Sequence, residues 1–153
     1  MMAPHSSRID RAAIVRAARG WIGTPYVHQA SCKGAGCDCL GLIRGVWREL
    51  IGAEPEKPPA YTPWWAEDEG EETMLAAARR HLTPLARRQL RPGDVVLFRY
   101  RRGLPAKHAA IATGACAMIH AQEGAGVVEA PLSPWWNRRI AGVFAFPGIE
   151  END

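Results

Sequence analysis

Apolar residues recur at helical spacing twice in the first third of the chain. Ala13, Ile14, Ala17, Ala18 and Trp21 fall on one face, with Asp10 placed to cap and Gly20 and Gly23 near the end, which predicts a helix over 10–21. Leu42, Ile43, Val46, Trp47, Leu50 and Ile51 define a second helix from about Leu40 to about Gly52, expected to be central to the core. Within it Gly41 and Gly45 would each weaken an isolated helix by roughly 1 kcal/mol relative to alanine. Their presence predicts a close neighbour on that side, expected to be a strand. A third helix is predicted from Glu71 to Leu82 on Met74, Leu75, Ala78 and Leu82, with acidic residues first and Arg79-Arg80 toward the end, in keeping with the helix dipole. Between the second and third helices, Glu54 to Gly70 carries Pro55, Pro58, Pro59 and Pro63 with Trp64-Trp65, the composition of an ordered loop.

The periodicity then changes. Asp94–Tyr100, Ala109–Thr113, Ala117–Ala121, Gly126–Ala130 and Gly142–Phe146 are short β-rich runs separated by Gly, Pro and charged turns. Helices followed by consecutive strands predict an α+β fold with a mainly antiparallel sheet rather than an alternating α/β fold. At 153 residues the chain is expected to be one domain, residues 1–153, with its core between about 10 and 147.

Charge narrows the partners. The formal net charge is +3, and the arginines fall in scattered pairs (79–80, 87–88, 101–102, 138–139) rather than in one block, which argues against nucleic acid as a partner. The opening residues hold no apolar stretch ahead of a small-residue cleavage site, and no apolar run reaches transmembrane length. The chain is therefore expected to be made in the cytoplasm without a signal peptide and not to insert in a membrane.

Four cysteines, at 32, 37, 39 and 116, lack the two separated CxxC pairs of a zinc ribbon. Cys39 differs from the others in its setting. Asp38 can cap the second helix, so the thiol stands at a helix N-terminus, where unpaired N–H groups and the macrodipole favour the thiolate and lower its pKa. A cysteine nucleophile needs a base and a group that orients the base. His108 opens the strand HAAIAT and His120 closes the run CAMIHA; if these strands form a hairpin, both imidazoles lie near one end and can converge with Cys39. His5, His28 and His81 are read as packing or surface residues. A cysteine-ligated metal module built on Cys32, Cys37 and Cys39 is the competing reading, since ligation would consume the nucleophile. No metal or other cofactor is expected if Cys39 is a nucleophile, which leaves Cys32 and Cys37 as packing or loop residues.

Five strings occur in one order: GTPY at 23–26, GCDCLGL at 36–42, RPGDVVLF at 91–98, HAAIA at 108–112 and MIHA at 118–121. Together they resemble the NlpC/P60 family of papain-like cysteine peptidases over most of the chain. DCLGL and the closing SPWWNRRIAGVFAF look most like the branch found in tailed phages and gene transfer agents. The resemblance implies a papain-like fold with N-terminal helices packed on the sheet. It implies Cys39 as nucleophile, His108 as general base and His120 as the residue orienting it. Tyr26 matches a tyrosine whose hydroxyl lies near the nucleophile in many members, although a core aromatic would look the same. Asp38 matches the family's aspartate before the nucleophile and is read as a helix cap and loop anchor. Leu40 stands where many members have serine, which puts any role of that hydroxyl in doubt.

The implied activity is hydrolysis of a stem-peptide amide of peptidoglycan, the D-γ-glutamyl–diaminopimelate bond in particular, through a thioester on Cys39. The implied partners are that stem peptide and phage-like tail or baseplate proteins, with the enzyme carried in a phage-like particle and acting in the cell wall or periplasm. A structural tail component keeping the fold for assembly is the alternative. Trp64 and Trp65 are candidates for the walls of a substrate groove, and Trp136 is read as structural.

Overall fold

The computed structural model describes residues 9–56, 72–86 and 89–149. Three longer helices lie along it: α1 (Arg11–Arg19), α2 (Cys39–Leu50) and α3 (Thr73–His81). A small hairpin of β1 (Ser31–Cys32) and β2 (Gly36–Cys37) sits between α1 and α2. The second half supplies β3 (Thr83–Leu85), β4 (Val95–Phe98), β5 (His108–Ala112), β6 (Ala117–Gln122), β7 (Gly126–Pro131), a single-turn helix α4 (Pro134–Asn137) and β8 (Ile140–Ala145). Strands β3 to β8 form one sheet in the order β3-β8-β4-β5-β6-β7, every neighbouring pair antiparallel. This is the predicted α+β architecture.

Both faces of the sheet are covered, which is why β4 and β5 read as continuous apolar runs and not as alternating ones. On one face Ile14, Trp21, Leu42 and Val46 from the helical side pack with Val95, Leu97, Ala109 and Ile111. On the other, Val96, Phe98, Ala110, Ala112 and Met118 form a smaller cluster, with Leu132, Trp136 and Ile140 packed against it. His108 has the parity of Ala110 and Ala112, so it belongs to this second face.

Helix α1 begins where Asp10 accepts a hydrogen bond from the Ala13 N–H at 2.7 Å. Its first residue, Arg11, donates to the Asp94 carboxylate at 2.7 Å, and Asp94 also accepts from the Arg91 N–H at 2.8 Å. The RPGD string thus ties α1 to the start of β4.

The neighbour that Gly41 and Gly45 imply is present, but it is not a strand of the sheet. A Cβ on Gly45 would lie 2.0 Å from the Trp21 ring, and one on Gly41 would lie 2.0 Å from the Ala30 carbonyl oxygen. The end of α1 and the loop before β1 therefore press on α2, because an indole and a loop peptide reach closer to a bare backbone than a pleated strand does. Gly45→Ala is expected to cost about 1 to 3 kcal/mol of stability in urea unfolding, the penalty of overpacking against a fully buried ring. Gly41→Ala should cost at least as much, since its obstacle is backbone.

Candidate active site

The loop before α2 is built around Asp38. One carboxylate oxygen accepts from the Gly41 N–H at 2.8 Å, capping the helix, and the other accepts from the Gln29 N–H at 2.8 Å. The second bond holds Gln29 at φ 69°, a left-handed backbone conformation that a residue with a side chain rarely adopts. Asp38 is thus both cap and loop anchor, as expected. Its buried position fixes Cys39 as the first residue of α2, where the backbone N–H has no acceptor within the helix.

The thiol lies against the start of β5. Cys39 Sγ faces the Lys107 carbonyl oxygen at 3.8 Å, and the backbone N–H groups of Ala109 and Leu40 point to the sulfur. Those contacts place it over the peptides on either side of His108. The strand register does the rest. Ile111 pairs with Ile119 and Ala112 with Met118; carried back along both strands, this sets His120 beside Ala110, two residues from His108 on the same face. The rings meet with His108 Nε2 2.8 Å from His120 Nδ1, and both residues are buried. The hairpin is present and brings the two imidazoles together, while the Cys39 thiol meets the β5 backbone on either side of His108.

Electrostatically the site departs from expectation at the thiol. The helix start was expected to lower the Cys39 pKa. Burial instead raises it to about 12, the Asp38 charge adds to the rise, and the hydrogen bonds from Ala109 and Leu40 offset only part of it. Burial also pushes His108 below the ordinary 6.5, with repulsion from His120 second, and burial alone does the same to His120. Both shifts favour a neutral thiol and neutral imidazoles in the resting site.

A stability effect follows. Each imidazole has a folded pKa below its unfolded value, so its contribution is present above about pH 6.5 and fades as pH falls toward the folded value. The unfolding temperature is expected to drop on acidification below pH 6.5, the stability slope approaching about 1.4 kcal/mol per pH unit for each histidine. Calorimetry on the wild type and His120→Gln checks this, the variant having the shallower slope.

Tyr26 is half-buried and bridges to Cys37, and its hydroxyl pKa is raised first by burial and then by the charge of Cys39. It is therefore close enough to the thiol to feel its ionisation. Trp64 and Trp65 lie outside the described residues. Cys37 is buried in β2 and Cys32 is exposed in β1, both as free thiols; among the described residues no group of three His, Cys, Asp or Glu side chains could hold a metal ion. Nor, among these residues, is any helix long and apolar enough to cross a membrane. His81 binds Glu56 at 2.5 Å on the surface.

Trp136 has contacts that the sequence did not foretell. Read as structural, it stacks on His108 with ring centroids 5.0 Å apart and planes at 26°, and it meets His120 edge to face at 5.4 Å. Tyr100 stands 6.0 Å from the same imidazole. The signal was present in the string SPWWN, where a capping Ser133 and a Pro at the first helical position announce a turn of helix rather than a loop.

Comparison with known proteins supports this architecture. A model of the NlpC/P60 family matches residues 23–145, a span holding Tyr26, Cys39, His108, His120 and Trp136. Gamma-DL-glutamyl hydrolase of Bacillus subtilis is 30% identical over 139 residues, covering 89% of this chain and 29% of that protein. The murein DD-endopeptidase MepS/murein LD-carboxypeptidase of Escherichia coli K12 is 28% identical over 120 residues, 78% of this chain and 54% of the relative. The chain thus spans about half or less of the curated relatives it matches. The crystal structure of the NlpC/p60 domain of the peptidoglycan hydrolase SagA superposes with a TM-score of 0.65 at 25% identity, over 90% of this chain and all of that domain. An NlpC/P60 family protein from Bacillus cereus gives a TM-score of 0.66 at 19% identity, over 89% of this chain and 40% of the other, a likeness of fold alone.

Proposed function

Because the chain belongs to the NlpC/P60 family, we propose that it is a cysteine peptidase that hydrolyses a stem-peptide amide of peptidoglycan, with Cys39 as nucleophile, His108 as general base and His120 orienting the base. The observation that carries this reading is the 2.8 Å contact between two buried histidines, one of which opens the strand whose first peptides touch a helix-start thiol. The substrate class is drawn from the relatives, two named as murein or peptidoglycan hydrolases and one as a gamma-glutamyl hydrolase.

The proposed proton path follows from the histidine pair. His108 Nε2 is occupied by His120, so Nδ1 is the ring nitrogen left to take the thiol proton. For Nδ1 to accept, the imidazole proton must sit on Nε2 and be donated to His120 Nδ1. His120 then carries its own proton on Nε2, which is buried and finds no partner among the described residues.

In the reaction the Cys39 proton passes to His108 as Sγ bonds to the amide carbonyl carbon. The oxyanion that develops is met by the Cys39 backbone N–H at the helix start. Collapse breaks the C–N bond, His108 returns the proton to the leaving amine, and a thioester remains. Water, deprotonated by His108, attacks the thioester and releases a carboxylate and the restored thiol. Tyr26 lines this site as oxyanion or substrate support, and Trp64 and Trp65 are proposed as groove walls.

The scissile bond proposed is D-γ-glutamyl–diaminopimelate, and the route proposed is carriage in a phage-like tail, for which DCLGL and SPWWNRRIAGVFAF are the supporting strings. Mass spectrometry of muropeptides incubated with the protein tests the bond: products ending in D-glutamate with a freed diaminopimelate amine are expected, and cleavage elsewhere in the stem would overturn it. Cosedimentation with purified particles tests the carriage, which a protein absent from every particle fraction would contradict.

A further inference from the structure

We propose that Trp136 is a positioning residue for His108: stacked on the imidazole, it holds the ring in one plane and walls the His108–His120 hydrogen bond from water. This rests on the reading of His108 as the base. The contact to His120 restrains one atom of the ring, Nε2, and by itself leaves the imidazole free to tilt about the line joining the two nitrogens. A flat surface parallel to the ring removes that freedom, and Trp136 supplies it at 5.0 Å and 26°. Phe98 and Tyr100 lie less parallel and farther off, both at 38°, with centroids 5.9 and 6.0 Å away. Trp136 also meets His120 at 84°, so one indole touches both members of the pair.

The indole is itself held. Ser133 and Pro134 start the turn that carries it, and Phe98 meets it edge-on at 4.8 Å. Trp135 packs against it at 4.9 Å and is clamped from the other side by the Arg139 guanidinium, 3.7 Å from the Trp135 ring. Arg139 also donates to the Tyr100 carbonyl at 3.0 Å, closing a brace between the β4 end and α4. The ionisable groups around His108 are His120 from β6, Tyr100 after β4, Lys107 beside it in the chain and Cys39 from α2.

The test compares Trp136→Phe with Trp136→Leu, both of which keep an apolar side chain under α4 while only the first keeps a flat ring over the imidazole. His108 is followed by NMR of its imidazole nitrogens as a function of pH, with kcat and KM on muropeptides alongside. In the wild type and Trp136→Phe, His108 is expected to stay neutral well below pH 6.5; in Trp136→Leu, admitted water relieves the burial and its titration moves up toward 6.5. The same variant is expected to lose kcat by about 10- to 100-fold, with KM changed far less, because the base is misaimed and not the substrate. Identical His108 titrations in the leucine and phenylalanine variants, with equal kcat, would overturn the proposal, as would loss of both readouts in Trp136→Phe. A wild type without turnover would instead defeat the peptidase reading, and the titration would still report whether Trp136 controls the imidazole.

Discussion

Replacing His108 with alanine is expected to lower kcat on muropeptides by about 10³- to 10⁴-fold with little change in KM. Burial holds the Cys39 thiol neutral, so no standing thiolate can carry the reaction once the base is gone. The helix dipole and the hydrogen bonds from Ala109 and Leu40 have already been outweighed in the resting state. His120→Ala should cost less, about 10- to 100-fold, because Nδ1 of His108 survives and only its tautomer and direction are lost. The double variant should be no worse than His108→Ala alone, since an orienting group has nothing to act on without the ring it orients. Steady-state kinetics on the three variants checks the set, and a double variant that falls by the product of the single effects would show the two histidines to be acting independently.

The second large effect is expected at Asp38. Asp38→Ala removes the helix cap and leaves the Gln29 N–H without its carboxylate, a combined cost of about 2 to 4 kcal/mol in urea unfolding. Asp38→Asn separates the two roles. Its amide oxygen can still accept from Gly41, but its amide nitrogen then faces the Gln29 donor, so this variant should lose less stability than alanine. Its thiol should move the other way. The Asp38 charge is one of the causes holding the Cys39 pKa up, and neutralising it should lower that pKa. Alkylation of Cys39 by iodoacetamide across a pH series, read at peptide level against exposed Cys32 and Cys116, is expected to shift toward lower pH in Asp38→Asn. An unshifted profile with full stability would remove Asp38 from both roles.

The sequence made the helices and the central strands legible because burial there imposes a regular period: Val46 and Trp47 on α2, or Ile111 on β5, mark their elements without help from the rest of the fold. The meeting of His108 and His120 was legible for the same reason, since a hairpin between two adjacent strands is a local event. Other features were not. The β1–β2 hairpin is only two residues per strand, and its glycines read as loop. The neighbour of Gly41 and Gly45 was assigned to a strand, but a glycine records only that something approaches closely, and Trp21 and Ala30 arrive from a separate part of the chain. The thiol's resting state was misjudged because helix-start electrostatics can be read locally, whereas burial of Cys39 under the β5 peptides depends on the whole packing. The contact of Trp136 with His108 was hidden for a related reason: the ring it touches lies 28 residues back along the chain.

The central claim is that Cys39 forms a covalent bond with the substrate. Wild-type protein and Cys39→Ala should be incubated in parallel with purified peptidoglycan fragments, quenched in acid, and examined by mass spectrometry both for released peptides and for the peptide that contains residue 39. The account predicts stem-peptide cleavage by the wild type only, with a transient acyl adduct on Cys39 whose added mass is that of the carbonyl-side product less one water. Equal cleavage by Cys39→Ala, or cleavage by neither protein, would contradict it.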